Sequence, residues 1–322
     1  MHKVVIITAY LVCESNLIVN RESPLFRIIS IITLLLAVIQ IALGGIVRVT
    51  DSGLGCPDWP LCYGQIIPPF DLTTLIEYSH RLSASLLMMF MTWATVLSFK
   101  EYGRRHSVTL LMILALLLVL AAATLGGITV LTELLWWAVL IHLAIAESVV
   151  ACLGIAIIIS LRQKEVDKFV IKKPGWFYIV LPITTATVFV LILSGSYMVG
   201  LGYGSSCGDW PLCNGDLIPT SRAYFIHMLH RYIVVIAAIF IGLVCMKLLS
   251  RKEPIMVRGL AFGLVTVFAV QVVIGAVTVW TGFEPLLKSI HLPVATIVWL
   301  LLVLLIPNFS YSGNSLLDKL KQ

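Results

Sequence analysis

Eight runs of roughly 20 mostly apolar residues, near 25–48, 74–98, 108–130, 137–160, 176–199, 224–248, 258–281 and 290–307, leave this chain few ways to fold. Each is long enough to cross the hydrocarbon core of a bilayer. No water is available there, so every backbone N–H and C=O has to be bonded within the chain, and single runs of this kind become helices. A mean hydropathy of +1.03 with only 12% charged residues excludes an ordinary soluble domain. The expected fold is an all-α membrane protein with eight transmembrane helices.

An even number of spans puts both termini on one side. Of the 22 Lys and Arg residues, only Arg48, Arg81, Arg222, Arg231 and Lys288 fall on the opposite side or its helix ends. The positive-inside rule then places both termini in the cytoplasm. The net charge of +6 reads as topology and contact with anionic membrane lipid, with no nucleic acid called for. Within residues 1–24, the apolar run at 4–12 is too short to span and lacks the small-residue cleavage pattern of a secretory signal. That segment receives no role.

The chain repeats itself. Cys56-Pro57-Asp58-Trp59-Pro60-Leu61-Cys62 recurs as Cys207-Gly208-Asp209-Trp210-Pro211-Leu212-Cys213, 151 positions on. His80-Arg81 recurs as His230-Arg231 at 150, and His142 as His291 at 149. A nearly fixed period over half the chain marks a tandem duplication. It predicts two four-helix bundles, at 25–160 and 176–307, separated by a cytoplasmic linker at 161–175 and followed by a tail at 308–322. With four spans per repeat both copies enter the membrane in the same direction, so a pseudo-two-fold axis along the membrane normal should relate them.

Glu77, His80 and Arg81 stand at i, i+3 and i+4 and share one helix face. Ionisable side chains inside an apolar span mark a functional site. His80, His142, His230 and His291 open spans two, four, six and eight, which run in parallel, so all four are expected at one shallow depth. Two imidazoles facing each other across a bundle can ligate heme iron from both sides. Zinc or copper fits less well, because the histidines lie on separate helices with no nearby Cys or Asp to complete a shell. His227 could line the second site or merely pack, and His2 and His106 lie in cytoplasmic loops. Arg81 and Arg231 could pair with heme propionates or reach toward lipid headgroups. Glu77 could be the helical partner of Arg81. Its position carries His227 in the second repeat, however, so the two halves should do different work, with acid–base chemistry in the first.

Cys56 with Cys62, and Cys207 with Cys213, lie in loops on the oxidising side, where close pairs form disulfides. Each bridge either pins its loop or exchanges with other thiols, and the structural role is favoured for Cys207 and Cys213. Cys13, Cys152 and Cys245 have apolar surroundings and read as small core residues.

Gly44-Gly45-x-x-Arg48-x-Thr50-x-Ser52-Gly53-Leu54-x-Cys56-Pro57-x-Trp59-Pro60, followed by Glu77-x-x-His80-Arg81, resembles the bacterial heme A synthase family, in its disulfide-bearing type. The resemblance extends over nearly the whole chain through the duplicated unit. It implies a plasma-membrane oxidoreductase that converts heme O to heme A by two successive hydroxylations of the C8 methyl group. By the same resemblance His80 and His142 would hold the substrate heme O and Glu77 would be the catalytic acid. His230 and His291 would ligate a heme b that relays electrons from a donor not named by the sequence. Implied partners are heme O synthase and the terminal oxidase assembly that receives heme A. The competing readings are a bis-His diheme membrane carrier exchanging electrons with quinone, and a transporter built from parallel repeats.

Overall fold

The computed structural model describes residues 24–162, 175–250 and 253–309. Expectations for residues 1–23, most of the linker and the tail from 310 onward, including Cys13 and His2, fall outside them. Eight helices follow in order: α1 (Pro24–Val49), α2 (Leu72–Tyr102), α3 (Ser107–Leu131), α4 (Trp136–Arg162), α5 (Phe177–Gly200), α6 (Arg222–Leu248), α7 (Ile255–Trp280) and α8 (Pro285–Leu305). Among the described residues there is no strand, and all eight helices are long and apolar enough to cross a membrane.

The apolar runs locate the helices but underestimate their ends, because capped polar turns are helical without being apolar. α2 starts at Leu72 behind Asp71, whose carbonyl accepts from Leu75 N at 2.8 Å and whose carboxylate accepts from Thr73 Oγ1 at 2.6 Å. α8 starts at Pro285, not near 290: the Glu284 carboxylate accepts from Leu287 N at 3.2 Å, and proline at the first position needs no hydrogen-bond acceptor. His106 caps α3 in the same way, taking Val108 N on Nδ1 at 3.1 Å. A cap of this kind contributes about 1 kcal/mol.

α1 packs on α2, α2 on α3, α3 on α4, and α4 returns to α1; α5 to α8 close in the same order. α1 against α8, α4 against α5 and α4 against α8 join the two sets. The buried core runs through both, from Phe26, Met91 and Met112 to Phe177, Leu264 and Leu302. Cys152 and Cys245 sit buried in it as free thiols.

The repetition extends to irregular backbone. Tyr63 and Gly64 have φ of 56° and 65°, and Asn214 and Gly215, 151 positions on, have 54° and 83°. Ser52 N donates to Val47 O at 2.9 Å, and Tyr203 N to Met198 O at 3.0 Å. Both Trp-Pro bonds in the repeated loops, Trp59-Pro60 and Trp210-Pro211, are cis.

Candidate functional site

Helix starts set the depth of the four histidines. His80 and His230 are the ninth residues of α2 and α6, and His142 and His291 are the seventh residues of α4 and α8. At 1.5 Å per residue all four lie about 9–12 Å from the helix ends that carry the disulfide loops. His80 and His230 thus lie two residues, about 3 Å, deeper than the apolar runs suggest, because the helices begin two residues earlier. His80 lies within electrostatic reach of His142, and His230 within reach of His291.

Every one of these rings lies against a glycine of the preceding helix. A Cβ added at Gly44 would stand 3.2 Å from His80 Cε1; at Gly126, 3.4 Å from His142 Cε1; at Gly195, 3.3 Å from His230 Cε1; and at Gly275, 3.2 Å from His291 Cε1. Each glycine lies five residues before the last residue of its helix. Histidine and glycine therefore form one motif, used four times. The sequence reading missed it, although these glycines recur at offsets of 151 and 149 like the histidines they face.

What holds the rings differs. Ser194 Oγ meets His230 Nδ1 at 2.8 Å. Gln40 Nε2 lies 3.1 Å from His80 Nδ1 and 3.3 Å from its Nε2. His142 approaches the Ala122 carbonyl without hydrogen-bond geometry, and buried His291 Nδ1 has no hydrogen-bond partner among the described residues. Half-buried imidazoles at one depth, each backed by glycine, fit heme iron ligation.

Glu77 is 5% exposed, and its Oε1 accepts from Arg81 Nε at 3.0 Å. The remaining donors of Arg81 turn to the disulfide loop: Nη1 reaches Asp58 O and Leu61 O, both at 2.6 Å, and Nη2 reaches Cys56 O at 3.0 Å. Arg231 repeats this with Nη1 on Asp209 O, Pro211 O and Leu212 O at 2.8–2.9 Å. Both guanidinium groups thus anchor their loops, a role the sequence did not suggest. His227, 4% exposed, lies beneath the second loop, taking Cys207 N on Nδ1 at 3.4 Å and facing Arg231 Nη2 through Nε2 at 3.4 Å. It occupies the position of Glu77 and serves the arginine and the loop.

The two loops are closed by Cys56–Cys62 and Cys207–Cys213, with Cα separations of 4.8 and 5.1 Å. Asp58 braces the first, accepting from Tyr63 N at 2.6 Å and Gly64 N at 2.7 Å. The Gly64 N–H first, then the Tyr63 N–H and the nearby Arg81 charge, hold its carboxyl below the usual aspartate range. Trp59 lies over Gly127 of α3, where a Cβ would stand 2.8 Å from Cδ2. Its counterpart Trp210 packs edge-on against Trp280 at 5.5 Å, and the position matching Gly127 carries Ala276.

The family model described as cytochrome oxidase assembly protein, COX15-CtaA, matches residues 27–72 and 69–303, a span that holds both disulfide loops and all four glycine-backed histidines. The chain belongs to the COX15-CtaA family. It is similar to the heme A synthase of Staphylococcus haemolyticus, 25% identical over 279 residues, which are 83% of this chain and 89% of that protein. To the heme A synthase of Staphylococcus saprophyticus it is 27% identical over 267 residues, 80% of this chain and 87% of the relative. To that of Staphylococcus aureus strain MSSA476 it is 26% identical over 271 residues, 80% and 86%. With eight apolar helices, this COX15-CtaA member is a multi-pass membrane protein of the heme A synthase kind.

Proposed function

We propose that the chain is an oxidoreductase converting heme O to heme A by two successive hydroxylations of the C8 methyl group, the hydrated product losing water to leave a formyl group. The named activity of its relatives supports the reaction, and the residues support the division of labour. His80 and His142 hold the substrate heme O. His230 and His291 would hold a resident heme b, which would supply electron transfer.

One observation carries the asymmetry: a buried carboxyl, Glu77, stands one turn before His80, while His227 fills that position in the second half. When bound, heme iron supplies the redox chemistry, and the residues of the chain supply position and protons. Arg81 holds Glu77 through Oε1 and is itself tied to three loop carbonyls, so the acid has a fixed place. Oε2 lies outside that ion pair and can hold or release a proton beside the substrate. The disulfide loop, with Trp59 laid on Gly127, covers the site against water.

The basic residues gathered at the termini's side support a plasma-membrane enzyme with cytoplasmic termini. Heme O synthase would supply the substrate and terminal oxidase assembly would take the product; each hydroxylation would consume one dioxygen, two protons and two electrons from a separate donor, one oxygen atom entering the C–H bond and the other leaving as water. The decisive experiment replaces Glu77 with Gln and extracts the pigments. Both hemes should stay bound while formyl heme disappears; undiminished formyl heme removes Glu77 from the chemistry. A diheme electron carrier shares the four-fold histidine–glycine pattern, and wild-type protein that never yields formyl heme would favour it.

A further inference from the structure

Arg48 shares the side of the disulfide loops with Arg81, Arg222, Arg231 and Lys288. Arg81 and Arg231 have committed their donors to loop carbonyls and to Glu77 or His227. Arg222 and Lys288 are exposed at the starts of α6 and α8. Arg48 is half-buried in the last turn of α1, and among the described residues it has no carboxylate partner. Of its five N–H groups one makes a hydrogen bond to them, a long one from Nη1 to Ser196 Oγ of α5 at 3.4 Å. A cation left this open inside a membrane protein marks a site for an anion.

Its neighbours put it between the two histidine pairs. Gly44, four residues earlier on the same face of α1, backs His80. Gly45 packs on α8 beside His291, where a Cβ would stand 3.4 Å from Leu292 Cδ2. Ser196 follows Gly195, which backs His230. Arg48 thus lies one turn, about 5.4 Å, toward the outer end from Gly44, at a seam that both histidine pairs adjoin. Gly200 leaves room there: a Cβ would stand 2.9 Å from Trp136 Cβ of α4 and 3.6 Å from Arg48 Nη2. Ser196 adds a donor. Ser194 donates back to Leu191 O at 2.7 Å, whereas buried Ser196 makes no such bond among the described residues and accepts from Arg48, so its hydroxyl hydrogen remains to be placed. The matching position in the second repeat is Val199, so the duplicated unit does not need this arginine for its own folding.

We infer that Arg48, with Ser196 beside it, binds a propionate carboxylate of a heme at the seam between the two halves. This rests on the reading that the histidine pairs hold hemes. A porphyrin carries its carboxylates at the rim, away from the iron that the imidazoles grip, and a planar guanidinium pairs with a carboxylate through two N–H groups. The heme at His80 and His142 and the heme at His230 and His291 offer the same chemistry.

The test exchanges the hemes of the full-length protein in detergent for heme b or for its dimethyl ester, whose propionates carry no charge. Release to excess apomyoglobin is followed by the Soret band. At one site the wild type should release the ester about tenfold faster than heme b, as expected for a hydrogen bond to a charged group. Arg48→Gln should release heme b at the ester's rate and leave the ester's own rate unchanged, which separates a lost carboxylate contact from looser packing. Arg48→Lys, which keeps the charge without the fork, should fall between. His230→Ala reports the first site alone and His80→Ala the second, and the site that responds to Arg48→Gln is the one whose propionate it binds. Equal release of heme b and ester by the wild type at both sites overturns the inference, and so does an Arg48→Gln protein that keeps the wild-type difference; Arg48 then faces lipid headgroups. Retention of both hemes in His80→Ala and His230→Ala would instead overturn the ligand assignment beneath it.

Discussion

Thr296 Oγ1 donates to Glu147 Oε1 at 2.7 Å across the contact of α4 with α8, and the two residues occupy the same position in the two repeats, 149 apart, five residues beyond His142 and His291. Both are fully buried, Glu147 Oε2 has no hydrogen-bond partner among the described residues, and Trp299 Nε1 donates to the Glu147 carbonyl at 2.9 Å. Matched residues that touch each other mark the place where the two copies of the duplicated unit meet. The two halves are thus joined by a buried carboxyl–hydroxyl contact, with the Trp299 bond beside it and Arg48 Nη1 meeting Ser196 Oγ at 3.4 Å between α1 and α5.

Glu147→Gln keeps the shape and an acceptor for Thr296, so its thermal unfolding in detergent should lie close to the wild type. Glu147→Ala opens a void at a fully packed site and should destabilise by about 2–4 kcal/mol. Equal unfolding midpoints for the alanine variant and the wild type would contradict this account of the interface.

Arg81→Lys keeps the charge but not the planar fork that reaches three loop carbonyls and Glu77 together. Loss of those charge-assisted bonds should weaken the loop by about 2–4 kcal/mol. Cys56 and Cys62, at 0% and 1% exposure, are sealed in the folded loop. Their reduction by dithiothreitol, read by alkylation and mass spectrometry, should accelerate in Arg81→Lys, with Cys207 and Cys213 unaffected.

Gly195→Ala puts a methyl group 3.3 Å from His230 Cε1, closer than a ring held by Ser194 can accommodate without shifting. Heme content, measured as pyridine hemochrome, should fall. Gly242 of α6 has open space around its Cα, and Gly242→Ala should leave heme content unchanged while adding about 1 kcal/mol of helix propensity. The same heme loss from both substitutions would mean that contact with the ring is not the cause.

Asp58 supplies a pH dependence outside the membrane. Its carboxyl is held below the usual aspartate range by the Gly64 and Tyr63 amides and by Arg81, so the folded loop favours the ionised form. A depressed folded-state pKa gives a contribution that is present above the ordinary aspartate pKa and is lost as pH falls through the lower, folded value. Hydrogen-exchange protection of the Tyr63 and Gly64 amides should therefore persist through mild acidity and collapse only below the ordinary aspartate range. In Asp58→Asn that acid transition should be absent.

Much of this protein could be read in one dimension. The eight spans follow from apolar run length, because a bilayer imposes the same requirement on every segment. The duplication, both cysteine pairs and the four histidines follow from residues recurring at a nearly constant interval. The glycines behind the histidines carried the same periodic signal and went unread, because only the paired helices show that Gly44 meets His80 and Gly275 meets His291.

Arg81 and Arg231 show where one dimension stops: their partners are backbone carbonyls some 20 residues back, and a carbonyl has no identity in a sequence. The same holds for Glu147, whose partner is 149 residues away, and for Gln40, which lies 40 residues from the ring it covers. Membrane insertion depends on what each residue is, and the order of residues declares it. The orientation of a guanidinium, an amide or a buried acid depends on which donor or acceptor packing brings within about 3 Å, and the folded helices alone decide that.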